Sequence, residues 1–454
     1  MPRYWLTILM TVLLALLVGY VYFVELPAER TKADMETSEK KILPFGERDI
    51  TGLTVRTDAG EIVLNAKDRS WQITAPLQAE ADAHAVEGVI RALVIGKVNR
   101  VVEEHGAALA PFGLDKPSVV LTVAADGRRE TLAVGDPGPI SSTLYAMRES
   151  DKKILLTNLA AKDVLNKSLL AFRKKEIVKI DEEQVEQVRF SYPKTEILLS
   201  RAEGKDKKKW AIRYPIEALA DQPEAKTLLM KLEDLKAIGF IDPGPHYDEQ
   251  MKRLTKPDIK VAIHTRGADQ VIKLFQPDPV SGEAFAVTTS DAPIYRINPM
   301  AIKDLTKDLF ALQDKRLLGI DRDDIAMIEV RTREAHYTLI RRNNVWEMEQ
   351  EPGKAVDQEK AALLVSRVVD LPAELRVVKQ ASPLAPYGLS SPSAEFTATA
   401  RDGATTGRLV LGTHTGGLVY AMGRGLPGIY QARADLLTQV PSKQELLASP
   451  SPRP

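Results

Sequence analysis

Apolar and polar residues alternate in Leu53-Thr54-Val55-Arg56 and Ile62-Val63-Leu64, and again in Ile328-Glu329-Val330 and Tyr337-Thr338-Leu339-Ile340. A period of two is that of half-buried strands, so each pair predicts a hairpin. Elsewhere the period lengthens: Val86, Val89, Ile90 and Leu93, or Leu228, Leu232 and Leu235, recur at three and four residues. That spacing predicts amphipathic helices with one stripe against a sheet. A third pattern has no period at all. Residues 4 to 24 contain no charged residue, and about twenty apolar positions suffice to cross ~30 Å of hydrocarbon.

The tryptophans reveal a longer repeat, which governs the reading of everything else. Trp71, Trp210 and Trp346 are 139 and 136 residues apart, each followed by a proline (Pro76, Pro215, Pro352) and, eleven residues on, by Asp82, Asp221 or Asp357. Each aspartate precedes a helical stripe and predicts an N-cap, and Asp221-Gln222-Pro223-Glu224 carries Glu at the capping-box position. Pro111-Phe112-Gly113-Leu114 with Pro117-Ser118 returns 275 residues later as Pro386-Tyr387-Gly388-Leu389 with Pro392-Ser393, whereas the middle copy keeps Leu254 and Pro257 and loses the glycine. Paired strands follow: 131–134 with 144–147, 271–275 with 284–287, and 409–412 with 418–422. One closing helix is expected in each copy, over 159–172, 299–310 and 434–447. Each unit is therefore predicted as α+β, a mainly antiparallel sheet with helices on one side.

The chain parses as a cytoplasmic N-terminus (1–3), a transmembrane signal-anchor helix (4–24), a charged stalk (25–44), α+β repeats at 45–178, 179–318 and 319–447, and a disordered tail (448–454). Tyr4 and Trp5 at one end of the apolar run and Tyr20, Tyr22 and Phe23 at the other are placed as interfacial anchors. Arg3 and the terminal amine precede the run and Glu25 and Glu29 follow it, so the positive-inside rule exports the body. The exit Tyr22-Phe23-Val24-Glu25-Leu26-Pro27 offers no small-x-small site for cleavage.

The tandem Trp, Pro and Asp, the Gly-Leu-x-x-Pro turn, the paired strands and the closing helix, behind one N-terminal span, resemble the bacterial domain-of-unknown-function family 4340 over residues 1 to about 447. That resemblance implies membrane-anchored tandem α+β repeats, often encoded beside gliding-motility-type ABC transporters. It supplies no catalytic residues.

Composition narrows the chemistry. Lys plus Arg and Asp plus Glu are each 62, so no net charge draws the chain to nucleic acid. With no cysteine, disulfides, thiolate metal sites and a Cys nucleophile are excluded. Gly423-Arg424-Gly425-Leu426-Pro427-Gly428 matches G-x-G-x-x-G, but strand-like residues flank it on both sides, which predicts a hairpin turn and not a dinucleotide site. His84, His105, His246, His264, His336 and His414 show no i+3 or i+4 pairing, and Glu103-Glu104-His105 reads as a solvated loop. Asp321-Arg322-Asp323-Asp324 falls at the junction leading into the third repeat, as Asp181-Glu182-Glu183 does before the second, where helix-start or turn chemistry accounts for both.

The loop before each Trp is basic: Lys67-Asp68-Arg69, Lys205-Asp206-Lys207-Lys208-Lys209, and Arg341-Arg342-Asn343-Asn344. The three rings are expected to be equivalent core anchors. No catalytic, cofactor or metal residue is assigned, and no enzyme is expected. Two functions stay open: a non-enzymatic scaffold or accessory subunit of an envelope ABC-type transporter, partnered by its permease and ATPase at the bacterial inner membrane with the C-terminal bulk in the periplasm, or an exported binding module for an anionic polymer, polysaccharide or lipid.

Overall fold

The structure is a computed structural model; it describes residues 40–68, 70–103, 108–159, 162–203, 208–288 and 293–447, with 10, 11, 13 and 14. All of the expected span but residues 10, 11, 13 and 14, most of the stalk, and the tail therefore lie outside the described residues. Among the described residues no helix is long and apolar enough to cross a membrane.

Three mainly antiparallel sheets succeed one another along the chain. The first comprises β1 (Ile50–Thr57), β2 (Gly60–Lys67), β3 (Ser70–Ala75), β4 (Ala79–Glu80), β5 (Val98–Glu103), β6 (Val119–Ala125), β7 (Arg128–Pro137), β8 (Leu144–Arg148) and β9 (Ile154–Thr157), in the order β4-β3-β2-β1-β6-β7-β8-β9-β5. Helix α1 (Ala83–Ile95) separates β4 from β5, and α2 (Lys162–Leu165) and α3 (Leu169–Phe172) close the repeat. Alternation is strict in β6, where Val119, Leu121, Val123 and Ala125 are buried; α1 buries Val86, Val89, Ile90 and Leu93, the stripe its spacing predicts.

The second repeat runs β10 (Val185–Ser191), β11 (Glu196–Arg201), β12 (Trp210–Tyr214), β13 (Ala218–Leu219), α4 (Gln222–Glu233), β14 (Ala237–Ile241), α5 (Pro245–Arg253), β15 (Ile259–Thr265), β16 (Asp269–Phe275), β17 (Ala284–Thr288), β18 (Ile294–Ile297), α6 (Met300–Leu305) and α7 (Leu309–Leu312). The third has β19 (Ile325–Thr332), β20 (His336–Arg342), β21 (Val345–Met348), α8 (Gln358–Val369), β22 (Leu375–Val378), β23 (Ala394–Ala400), β24 (Thr406–Thr415), β25 (Leu418–Gly423), β26 (Leu426–Arg433), α9 (Asp435–Thr438) and α10 (Lys443–Leu446), its sheet ordered β21-β20-β19-β23-β24-β25-β26-β22.

The chain divides into two compact units that do not follow the repeats. One holds residues 1–177, 236–249 and 293–298, hence the first sheet and the antiparallel pair β14–β18. The other holds 178–235, 250–292 and 299–454, hence β10–β13, β15–β17 and the third sheet.

The single closing helix is corrected to two short ones in every copy. Ser168, Asp308 and Ser442 interrupt the run and cap the second helix, accepting from the amides of Ala171 (3.2 Å), Ala311 (2.7 Å) and Glu445 (3.3 Å). A side chain that captures these free amides starts a new helix where the periodicity alone suggested continuation. The strand after each main helix, β5, β14 or β22, is also an addition: it lies at a sheet edge, β5 and β22 are largely exposed, and none of the three shows the alternation by which strands are recognised.

Candidate functional site

The aspartates at Trp+11 cap their helices as the spacing predicts. Asp82 accepts from Ala85 N at 3.0 Å, Asp221 from Glu224 N at 3.1 Å, and Asp357 from Glu359 N and Lys360 N at 3.1 Å each. The Asp221 box is not reciprocal: the Glu224 carboxylate is engaged by Lys307 Nζ at 3.1 Å. The backbone N–H of each cap also donates to the closing segment of its own repeat, Asp82 to Phe172 O (2.7 Å), Asp221 to Leu312 O (2.9 Å) and Asp357 to Leu446 O (2.8 Å).

The next residue supplies a contact that the spacing did not foretell. Gln222 Oε1 accepts from Trp210 N at 2.7 Å while its Nε2 donates to Trp210 O and Ala220 O; Gln358 does the same for Trp346, at 2.8 Å, and Val356. The Asp-Gln pair in two copies was the available signal. Trp210 and Trp346 are 2% and 6% exposed, but Trp71, followed by Asp82-Ala83, is only half-buried. The expected equivalence of the three rings is thereby corrected.

Beside Trp210 lies an open groove of about 1090 Å³. Arg201, at the end of β11, lies over the indole with its guanidinium carbon 4.1 Å from the ring centroid, and donates to the carbonyls of Val185, Lys208 and Glu182. Arg213 pairs with Glu203 at 3.1 Å and Arg266 with Glu186 at 3.4 Å. Lys208, Lys226, Glu182 and Glu183 complete a rim of both signs. Its three arginines are held by carboxylates or spent on backbone carbonyls.

A smaller depression of about 370 Å³ gathers the junction charges. Arg316 donates to Asp314 at 2.7 Å and Asp321 at 2.9 Å, Lys209 reaches Asp321 at 3.2 Å, and Lys315 reaches Asp221 at 3.1 Å. Burial pushes the Asp321 carboxyl up, but hydrogen bonds from Arg316 and Lys209 outweigh it and hold the group below its ordinary value. The hydrogen bond to Asp314 raises the Arg316 guanidinium. Asp321 is thus bound by two cations while Arg322–Asp324 form a short helical turn, and Lys209, the end of the basic run, serves this network.

The other candidates disperse. His264 on β15 meets the Asp269 carboxylate, His336 meets Glu329 at 3.1 Å, and His84, His246 and His414 stand on α1, α5 and β24. Among the described residues no three His, Asp or Glu are grouped to hold a metal. Glu103 ends β5; Glu104 and His105 lie outside the described residues, as do Arg69 and Lys205 to Lys207. Arg341 and Arg342 belong to β20 and not to the loop, where Asn343 and Asn344 alone make the turn with φ of 50° and 65°. The glycine run joins β25 to β26 as a hairpin. Gly423 and Gly425 are required because a Cβ at either would strike the backbone of Leu317 or Arg316, so close chain approach accounts for them.

These features define a tandem α+β repeat protein. A family model described as Domain of unknown function (DUF4340) matches residues 71–257, 253–375 and 346–448, and two of these segments open on the equivalent Trp71 and Trp346. The chain belongs to this family. No curated protein and no solved structure matches it.

Proposed function

We propose that the protein is a membrane-anchored, periplasm-facing, non-enzymatic scaffold or accessory subunit of an envelope ABC-type transport system. The observation that carries this reading is three copies of one α+β unit behind a single uncharged run at residues 4–24. Repetition of a module multiplies contact surface and local concentration without requiring any chemistry. The mixed-charge groove beside Trp210 supports a protein partner over an anionic polymer, because Glu182, Glu183, Glu186 and Glu203 stand among its five cations. Gentle detergent extraction and affinity capture should recover a permease and an ATPase with the chain. Recovery of the chain alone, with turnover lost on changing a few clustered polar residues, overturns the proposal.

A further inference from the structure

The outer edge of the tryptophan strand is closed by the chain itself in two copies and left open in the third. In the first copy β4 pairs with β3, Gln72 opposite Glu80 and Ile73 opposite Ala79; in the second β13 pairs with β12, Ala211 opposite Leu219 and Ile212 opposite Ala218. The residue before each cap completes the edge, Ala81 N donating to Trp71 O at 2.9 Å and Ala220 N to Trp210 O at 3.0 Å. In the third copy β21 itself ends the sheet, and residues 354–356 do not pair with it. The longer loop from Trp to Pro accounts for the difference. Glu351 N turns back onto Met348 O at 3.1 Å and Lys354 N onto Glu351 O at 3.2 Å, so a turn replaces the short strand.

A crevice of about 560 Å³ results, lined by Trp346 and Met348 on one side and by Pro352, Gly353, Ala355 and Val356 on the other. Two backbone donors face it. Glu349 N donates inward to Thr338 O on β20 at 3.0 Å, and Trp346 N is taken by Gln358, so the alternation of peptide groups along the strand turns Met348 N outward. Val356 O is held by Gln358 Nε2 at 2.9 Å, as Ala220 O is by Gln222, which turns Val356 N toward β21. Neither N–H has a partner among the described residues, although Met348 and Val356 are 1% and 6% exposed. Buried amides are rarely left unpaired. The closing segment does not reach them: Asp357 N donates to Leu446 O, and Leu447 bridges Val356 from the side away from β21.

The rim adds a charge preference. Arg342 lies 3.7 Å from Glu347 and Lys354 2.8 Å from Glu351, which leaves the exposed Glu349 without a cation among the described residues. We propose that an extended segment of a separate membrane-protein partner adds to the edge of β21 as β4 and β13 do in the other copies, its carbonyls accepting from Met348 N and Val356 N and its lysine or arginine meeting Glu349. A small residue is expected opposite Met348, since Ala79 and Ala218 stand opposite Ile73 and Ile212. This rests on the scaffold reading and names its contact.

The absence of cysteine permits a direct test in the full chain in native membranes. Val345→Cys, on the rim and 47% exposed, carrying a benzophenone maleimide should form an adduct that maps to an extended, lysine- or arginine-bearing segment of a copurifying membrane protein; Val280→Cys, 97% exposed, should not. Replacing residues 349–356 with the sequence of 213–220 restores the chain's own edge strand and should lower the adduct about tenfold. Glu349→Arg should lower it about threefold at an unchanged unfolding midpoint, and Glu at the mapped cation should restore it in that background; where the graft lowers the midpoint, this pair decides alone. No adduct, or an adduct to residues 448–454 of the same chain, to a second copy or to lipid, overturns the site. If the graft still captures permease and ATPase at full yield, the scaffold reading stands and this edge is wrong; if wild type captures neither while the adduct forms on another membrane protein, the edge stands and the transporter assignment falls.

Discussion

Opposite Trp71 on the neighbouring strand stands Ala66, whereas the same register places Arg201 opposite Trp210 and Arg341 opposite Trp346. After the cap aspartate the first repeat has Ala83, where the others have Gln222 and Gln358. Two alanines thus remove the cation above the ring and the amide that bonds the tryptophan backbone. The half-burial of Trp71 follows from partners missing at two distant positions, not from its own spacing. A conserved period fixes where an anchor stands within the repeat; how deeply it is held depends on side chains the period does not contain.

The strongest way to break this comparison is truncation of the rings. Trp210→Ala should cost about 3–5 kcal/mol, the usual loss for a buried aromatic, and Trp71→Ala clearly less. Equal shifts in denaturant midpoint would show that the two corners are equally anchored.

Next in size is an exchange of the amide. Gln222→Ala leaves Trp210 N and two carbonyls short of a partner and should cost about 1–3 kcal/mol, while Ala83→Gln should add about 0.5–1.5 kcal/mol by supplying the contact to Trp71. Thermal unfolding of both single variants decides the matter, and a destabilising Ala83→Gln would show that the first corner cannot accept the amide.

What was legible in the chain divides along the same line. Val86, Val89, Ile90 and Leu93 declared their helix because one face is buried, and Asp82, Asp221 and Asp357 declared their caps because the amides they bind are fixed by geometry. The hairpin role of Gly423 to Gly428 was legible from its flanks. Edge strand β5 was not, since Asn99, Arg100, Val101 and Glu103 are all exposed and no alternation is imposed on them. The groove beside Trp210 was likewise hidden: Arg201 lies on β11, Arg213 on β12 and Arg266 just past β15, and only strand pairing brings them together.

The smallest effect concerns the third corner alone, whose loop from Trp to Pro is one residue longer than in the other copies. There Glu351 is bound by Lys354 at 2.8 Å and Lys443 at 2.6 Å, which hold its carboxyl down at about 2. A depressed carboxyl contributes stability that is full above its ordinary value of 4.5 and lost as pH falls toward 2. Acid titration of Glu351→Gln should therefore show a shallower loss than wild type between about pH 5 and pH 2. Superimposable curves would mean that the pair leaves the third corner unaffected.

The bond from each cap N–H to Phe172, Leu312 or Leu446 has both ends inside one copy. In terms of descent, a unit that carries its own latch remains closed when the gene segment encoding it is duplicated or lost. The outer strands are less constrained: at the paired position Val101, Phe240 or Arg376 the three copies have diverged to an aliphatic, an aromatic and a cation.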